Sequence, residues 1–376
     1  MMQSARWKKQ MWSALKMVAP GTALREGIEN VLRAHTGGLI VLGDFEDVRK
    51  ICQGGFHIED EFNPSRLYEL AKMDGAIILD ERGKMIWRAN VQLQPTVDDN
   101  VPETGIRHRI AARTAIQTGA IVIAISQRRS MITLYRGHDR FVFDETVNLM
   151  TKATQALQTL ERYCIELQKD FSSLTFLEFE DNVLVNDVVK TVQRCEMVKR
   201  ISEEIDFYLL QMGDDGFLIE MQKNELTGEV LEEYHDLLVD YSVKADRRSV
   251  SATEKKISEM NDGDLFDKIY LAKFLGFGAG NELLDAHVRP LGYRVLNQVP
   301  RLPHPIIGKI VEFFGRDFQR ICEATVEELD EVEGVGRVRS NMIYRSLRRQ
   351  KELAAITMGK ITETPQAVAA AEVQKG

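Results

Sequence analysis

Proline is absent from the long middle of this 376-residue chain, between Pro102 and Pro290. Proline removes a backbone donor and clashes with the preceding turn, so a stretch without it permits long uninterrupted helices. From about residue 147 the apolar side chains also keep the three- and four-residue spacing that is typical of amphipathic helices: Leu149, Ala153, Leu157, Leu160, Tyr163 and Leu167. Residues 147–289 are therefore predicted to form an all-helical spine between the two ends of the chain.

The first 146 residues alternate strand-like and helix-like patterns. Asn63 and Pro64 are typical of a helix cap followed by the first helical residue, and they predict a helix over 64–73. Short apolar runs rich in β-branched and aromatic residues predict strands at 38–43, 76–80, 85–87, 120–126, 131–135 and 140–143. Residues 1–146 are thus predicted to be an α/β domain with a mixed sheet.

Residues 290–355 show the spacing of a helix-hairpin-helix unit. A Gly-apolar-Gly turn between two helical stretches allows the backbone to approach a DNA phosphate, and residues 296–303 resemble a degenerate first half of a paired hairpin. A protein-binding helical hairpin is the alternative. The predicted DNA-binding residues are Gly334, Val335, Gly336, Arg337, Arg339 and Arg345. The tail, 356–376, has little to bury and is predicted to be disordered.

Composition limits the class of protein. The net charge of −8 disfavours DNA binding by the whole surface, so DNA must be bound by a local basic patch. The four cysteines form no CxxC pair, which favours the reducing cytoplasm and argues against structural zinc. No apolar run approaches the ~20 residues that span a bilayer, so no membrane partner is expected.

Two segments of the first domain are candidates for chemistry. Asp74-Gly75-Ala76 places a carboxylate and two small residues beside a predicted strand, where a flat ligand could approach the backbone; a plain Asp-Gly turn is the alternative. In 103–113, Gly105 precedes a helix predicted to begin near Arg107, whose N-terminus would attract phosphate. A solvated basic helix end is the alternative there.

These two segments together resemble the diadenylate cyclase family, which carries Asp-Gly-Ala followed by Gly-x-Arg-His-Arg. The resemblance extends over essentially the whole chain, with a cyclase domain, a spine and a hairpin module in the same order. It implies ATP with Mg²⁺ or Mn²⁺, and Asp74 as the metal ligand. It implies the catalytic residues Asp74, Arg107, His108 and Arg109, and the ATP-binding residues Gly75, Ala76, Leu93, Gly105, Ile106, Arg107, His108, Arg109, Ile110, Ser126 and Arg128.

The resemblance implies that two ATP molecules are condensed into cyclic di-AMP with release of two pyrophosphates. It further implies suppression by branched DNA, a homo-octamer of face-to-face cyclase pairs, and a bacterial, nucleoid-associated protein. The sequence departs from the family at Ile106, Ile110 and Ala112, where relatives have threonine, threonine and glutamate. A catalytically weakened nucleotide- and DNA-binding scaffold in DNA damage signalling is therefore the second hypothesis. A DNA repair enzyme ranks last, because neither a Lys-x-Asp-Gly motif nor clustered nuclease carboxylates are visible.

Overall fold

The computed structural model describes residues 5–43, 46–97, 101–127, 131–242, 247–278, 280 and 282–373. The chain divides into two compact units, Met1–Gln155 with Ile205–Met221, and Ala156–Glu204 with Gln222–Gly376. The segment predicted as one spine is therefore shared between the two units. Among the described residues, no helix is both long and apolar enough to cross a membrane.

The first unit is built on a mixed sheet of eight strands in its described part, in the order β2-β5-β4-β1-β6-β7-β8, with β3 paired to β5. Strands β1 and β4 are parallel, and the other pairs are antiparallel. The strands are β1 (Gly38–Leu42), β2 (Cys52–Gln53), β3 (Phe56–Glu61), β4 (Ala76–Leu79), β5 (Met85–Leu93), β6 (Ile121–Ser126), β7 (Met131–Arg136) and β8 (Asp139–Val142). The predicted mixed-sheet domain is confirmed.

Apolar layers cover both faces of this sheet. Because successive strand residues point to opposite faces, Ile40 belongs to one core cluster and Val41 to the other. Asn63 caps the helix that begins at Pro64, as predicted, although this helix ends at Leu70. The helices of the domain are α1 (Ala5–Met17), α2 (Ala23–Arg33), α3 (Glu46–Ile51), α4 (Pro64–Leu70) and α5 (Ile106–Thr118).

The middle of the chain is helical in its described part, as its spacing and lack of proline predict. Phe207 packs into the core of the first unit, which explains why part of this region belongs there. The helices are α6 (Thr146–Phe179), α7 (Val185–Met212), α8 (Phe217–Tyr241), α9 (Arg247–Ser258), α10 (Asp262–Phe266) and α11 (Lys268–Leu275).

The C-terminal part contains two helical hairpins around a shared apolar core, formed by α12 with α13 and by α15 with α16. The helices are α12 (Tyr293–Asn297), α13 (His304–Phe313), α14 (Phe318–Glu323), α15 (Val326–Asp330) and α16 (Gly336–Val373). Helix α16 continues where composition predicts disorder from residue 356. Four alanines among residues 367–371 have high helix propensity and favour this continuation of α16 to Val373.

A buried polar network joins α12 to α6 and α8 within the second unit. The Arg294 guanidinium is completely buried, where it pairs with Glu178 and donates to Glu233 at 2.7 Å. Asp240 accepts hydrogen bonds from three backbone N–H groups at the start of α12, at 2.7 to 2.9 Å. Burial, assisted by the nearby Glu178 carboxylate, raises the pKa of Asp240 from 3.8 to about 7.

Candidate functional site

One edge of the sheet brings the sequence-predicted residues together. Strands β1 and β4 run parallel, with Ile40 opposite Ile77, so both begin at this edge. Strand β6 is antiparallel to β1 and pairs Ile125 with Gly38, so β6 ends at this edge. Strand β5 is antiparallel to β4 and pairs Val91 with Ala76, so β5 ends there too. The strand register thus collects Asp74, Gly75, Leu93 and Ser126 at one edge.

The Asp74-Gly75 pair lies between α4 and β4, with the Asp74 side chain exposed. Gly75 has φ of +103°, and a Cβ on it would lie 2.9 Å from backbone atoms of Asn90 and Val91. Both the conformation and the contact require glycine. The space freed by its missing side chain is occupied by the β5 backbone, so this packing fixes the position of the neighbouring carboxylate.

Ala76 and Leu93, which are predicted to line a nucleotide, have buried side chains. Their side chains are 0% and 5% exposed and belong to the core cluster on the side of α5. At these positions the strands turn their side chains toward that core layer, so a ligand at the edge could contact these residues only through the backbone.

Helix α5 begins at Ile106, within one residue of its predicted start. Gly105 is the N-cap and provides no side-chain cap, while its carbonyl accepts from the Arg109 N–H at 2.9 Å. The first N–H groups of a helix have no partner within the helix, and they lie at the positive end of its dipole. This end of the 13-residue helix is therefore suited to a phosphate group.

Arg107 is held against the same edge of the sheet. A Cβ on Gly37 would lie 2.5 Å from the Arg107 Nη1 atom, so the guanidinium occupies the space that this glycine leaves open. Gly37 has φ of +73°, which also favours glycine. Sequence reasoning missed Gly37; the available signal was a pair of glycines, Gly37 and Gly38, at the start of a predicted strand. Arg109, two residues further along the helix, is exposed and faces a different direction from Arg107.

His108 contacts the sheet through Tyr135 on β7. Its Nδ1 atom lies 3.0 Å from the Tyr135 hydroxyl, which also hydrogen-bonds to Glu103. Glu103 in turn lies 3.0 Å from Arg140 Nε. Burial raises the pKa of Tyr135 well above its ordinary value, and the Glu103 carboxylate raises it further. Sequence reasoning missed Tyr135, Glu103 and Arg140 as parts of the site.

The three departures from the family pattern lie in different surroundings. Ile106 is 74% exposed at the first turn of α5, whereas Ile110 packs against the core and Ala112 is 4% exposed. Only Ile106 therefore presents an apolar group where a phosphate would bind. Ser126 is half-buried at the end of β6, and Arg128 lies outside the described residues.

The metal prediction has Asp74 as its one protein ligand. Among the described residues, no group of three or more histidine, cysteine, aspartate or glutamate side chains could hold a metal ion. Mg²⁺ is commonly bound by one or two carboxylates together with substrate phosphates, so an exposed carboxylate at the same sheet edge as a helix start suited to phosphate would fit such an ion.

The turn between α15 and α16 has the conformation that its glycines allow. Gly334 and Gly336 have φ of +89° and +62°, and Val335 between them is buried. Arg339 donates to the Gly334 carbonyl at 2.6 Å and thereby closes the turn. Side chains that give this helix an exposed basic surface are Arg337, Arg339, Arg345, Arg348 and Arg349.

Comparison with known proteins identifies relatives along most of the chain. The family of DisA bacterial checkpoint controller nucleotide-binding domains matches residues 25–140, and the DisA linker region matches residues 143–284. The DNA integrity scanning protein DisA of Bacillus subtilis is 47% identical over 350 residues, covering 93% of this chain and 96% of the relative. That of Carboxydothermus hydrogenoformans is 47% identical over 347 residues, covering 92% and 98%.

Proposed function

This chain belongs to the family of the DNA integrity scanning proteins DisA, and from that premise we propose that it is a diadenylate cyclase regulated by DNA structure. The reaction joins two ATP molecules into cyclic di-AMP and releases two pyrophosphates. The observation that supports it best is the edge of the sheet, where the exposed Asp74 carboxylate shares one edge with the start of α5 and Arg107. We place this activity in the bacterial cytoplasm, at the nucleoid.

The side chains at this edge have complementary roles in the proposed reaction. In each step a ribose 3′-hydroxyl attacks an α-phosphate in line, and pyrophosphate leaves. The N–H groups at the start of α5, with Arg107 and His108, bind the negative triphosphate and favour the charge that develops on it. Asp74 would hold Mg²⁺ or Mn²⁺, which when bound lowers the pKa of the attacking hydroxyl and screens phosphate charge.

The product requires two sites, because cyclic di-AMP has two identical phosphodiester bonds. The chain supplies one Asp74 carboxylate and one Arg-His-Arg segment. The simplest catalyst therefore pairs two chains face to face, each presenting one ATP. We propose such pairs within a larger homo-oligomer, an octamer. Turnover that is unchanged when sedimentation shows only monomers would contradict the pairing.

The test of catalysis is to incubate the pure protein with ATP and Mn²⁺ or Mg²⁺ and to separate the products by chromatography. Cyclic di-AMP is expected, and Asp74→Asn is expected to abolish it. The Asp74 side chain is exposed, so this substitution should change the free energy of unfolding by no more than about 0.5 kcal/mol. Normal product formation by Asp74→Asn would rule out the assigned metal ligand.

A weakened scaffold is the second candidate, and the exposed Ile106 favours it. Isoleucine cannot donate or accept a hydrogen bond, so a nucleotide bound beside it would lack one contact that threonine could supply. This candidate predicts ATP binding without product. Measuring ATP affinity beside turnover distinguishes it from the cyclase.

The second part of the proposal is that the α15–α16 hairpin binds DNA without reading its sequence. The glycine turn and exposed arginines favour contacts to phosphates, which depend strongly on salt. Branched DNA is expected to bind and to suppress synthesis of cyclic di-AMP, whereas linear duplex has little effect. Equal inhibition by a junction and a duplex of the same length, or by neither, would remove the regulatory part.

A pair of substitutions that removes two positive charges from α16 locates the DNA surface. Arg337→Ala with Arg345→Ala should weaken binding and reduce the salt slope by up to ~0.9 for each lost phosphate contact. Arg162→Ala is the matched control, because it removes an exposed arginine from α6. An equal loss of DNA affinity in Arg162→Ala would mean that the DNA contacts lie outside the α15–α16 hairpin.

A further inference from the structure

A chain of polar side chains leads from the phosphate-binding end of α5 into the sheet. His108 Nδ1 lies 3.0 Å from the hydroxyl of Tyr135, whose residue is only 2% exposed. Tyr135 hydrogen-bonds to Glu103, whose side chain is 12% exposed and lies 3.0 Å from Arg140 Nε. The His108 and Tyr135 rings also meet edge to face, with centroids 6.2 Å apart. The ring of His108 is thus held from one side by buried groups.

The direction of the hydrogen bonds follows from counting protons. The Tyr135 hydroxyl has one proton, and the Glu103 carboxylate, paired with Arg140, only accepts. Tyr135 therefore donates to Glu103, and its oxygen accepts from the Arg140 guanidinium and from His108 Nδ1–H. A hydrogen bond at one ring nitrogen of histidine fixes the tautomer and the plane of the ring, and so determines what the other nitrogen offers.

We propose that Tyr135 and Glu103 are positioning residues for His108: they keep its Nδ1 protonated and hold its Nε2 edge toward the triphosphate of ATP. This proposal rests on the proposed function, because it assigns His108 to phosphate binding. A ring that also carries a proton on Nε2 offers a charge-assisted hydrogen bond to phosphate. The carboxylate of Glu103 then balances the positive ring through the Tyr135 hydroxyl.

The first experiment removes the hydroxyl and keeps the ring. Tyr135→Phe is compared with Tyr68→Phe, which removes a hydroxyl from α4 of the same unit. The full chain is titrated with a non-hydrolysable ATP analogue, and KM and kcat are measured with ATP. Tyr135→Phe should raise the Kd and KM by about 2- to 10-fold, the usual effect of one hydrogen bond. Tyr68→Phe should change neither.

A double-substitution cycle separates positioning from a general effect on folding. His108→Gln keeps a donor near the Nε2 position and has nothing at Nδ1, so adding Tyr135→Phe to it should have no further effect on Kd. Glu103→Gln, which still accepts from Tyr135, should show a smaller change than Tyr135→Phe. Equal losses in both His108 backgrounds, or a lower kcat with unchanged KM, would overturn the proposal.

The experiments distinguish an error in the proposed cyclase reaction from an error in the positioning role of Tyr135. If the wild-type protein binds the analogue and forms no cyclic di-AMP, the proposed reaction is wrong, while the Kd comparison still decides the role of Tyr135. If Tyr135→Phe binds the analogue as tightly as the wild type, the positioning role is refuted whether or not the protein turns over.

Discussion

Gly37→Ala tests whether the sheet edge holds Arg107 in place. Alanine at φ of +73° costs about 1–2 kcal/mol in backbone conformation. Its Cβ would also lie 2.5 Å from Arg107 Nη1, so the guanidinium must move. A hydrogen bond to a charged group contributes about 1.5–3 kcal/mol, so the displaced arginine should weaken ATP affinity by about 10- to 100-fold.

The chain offers a matched control for this substitution. Gly119, after the last residue of α5, has φ of +69°, and a Cβ on it would meet no atom within 4 Å. Gly119→Ala should therefore carry a similar conformational cost without touching Arg107. Urea unfolding should show similar losses for the two variants, while calorimetric titration with an ATP analogue should show loss of affinity only for Gly37→Ala. Equal ATP affinity in the two variants would refute the reasoning.

Two further predictions concern single side chains. Ile106→Thr places a hydroxyl at the exposed first turn of α5, and we expect kcat/KM for cyclic di-AMP formation to rise by about 2- to 10-fold; no change would mean that a hydroxyl there is dispensable. Burial raises the pKa of Asp240 from 3.8 to about 7, so the folded protein binds this proton more tightly than the unfolded chain. The resulting stability is present below about pH 4 and is lost as the pH rises through about 7. The urea midpoint should therefore depend less on pH between about 5 and 8 in Asp240→Asn than in the wild type, and identical slopes would contradict the shift.

The sequence predicted those parts of the site that depend on local patterns. The start of α5 follows from Gly105, and the order of strands and helices follows from short apolar runs and caps. The contact between Arg107 and Gly37 could not be predicted in this way, because it depends on the strand register between distant segments. The same holds for Tyr135, which reaches His108 only because β7 lies beside β6. The inward side chains of Ala76 and Leu93 depend on which face of each strand is buried, and a motif does not specify that.

The completely buried Arg294 limits whether the C-terminal hairpins can be replaced, as a separate module, by those of another protein. A protein that ended after residue 289 would lose this guanidinium, so Glu178 would lose its charged partner and Asp240 would lose three backbone donors. Removing one partner of a buried ion pair commonly costs about 3–5 kcal/mol. Recombination after residue 289 would therefore be tolerated only if α6 and α8 also changed. The hairpins should thus be inherited together with α6 and α8.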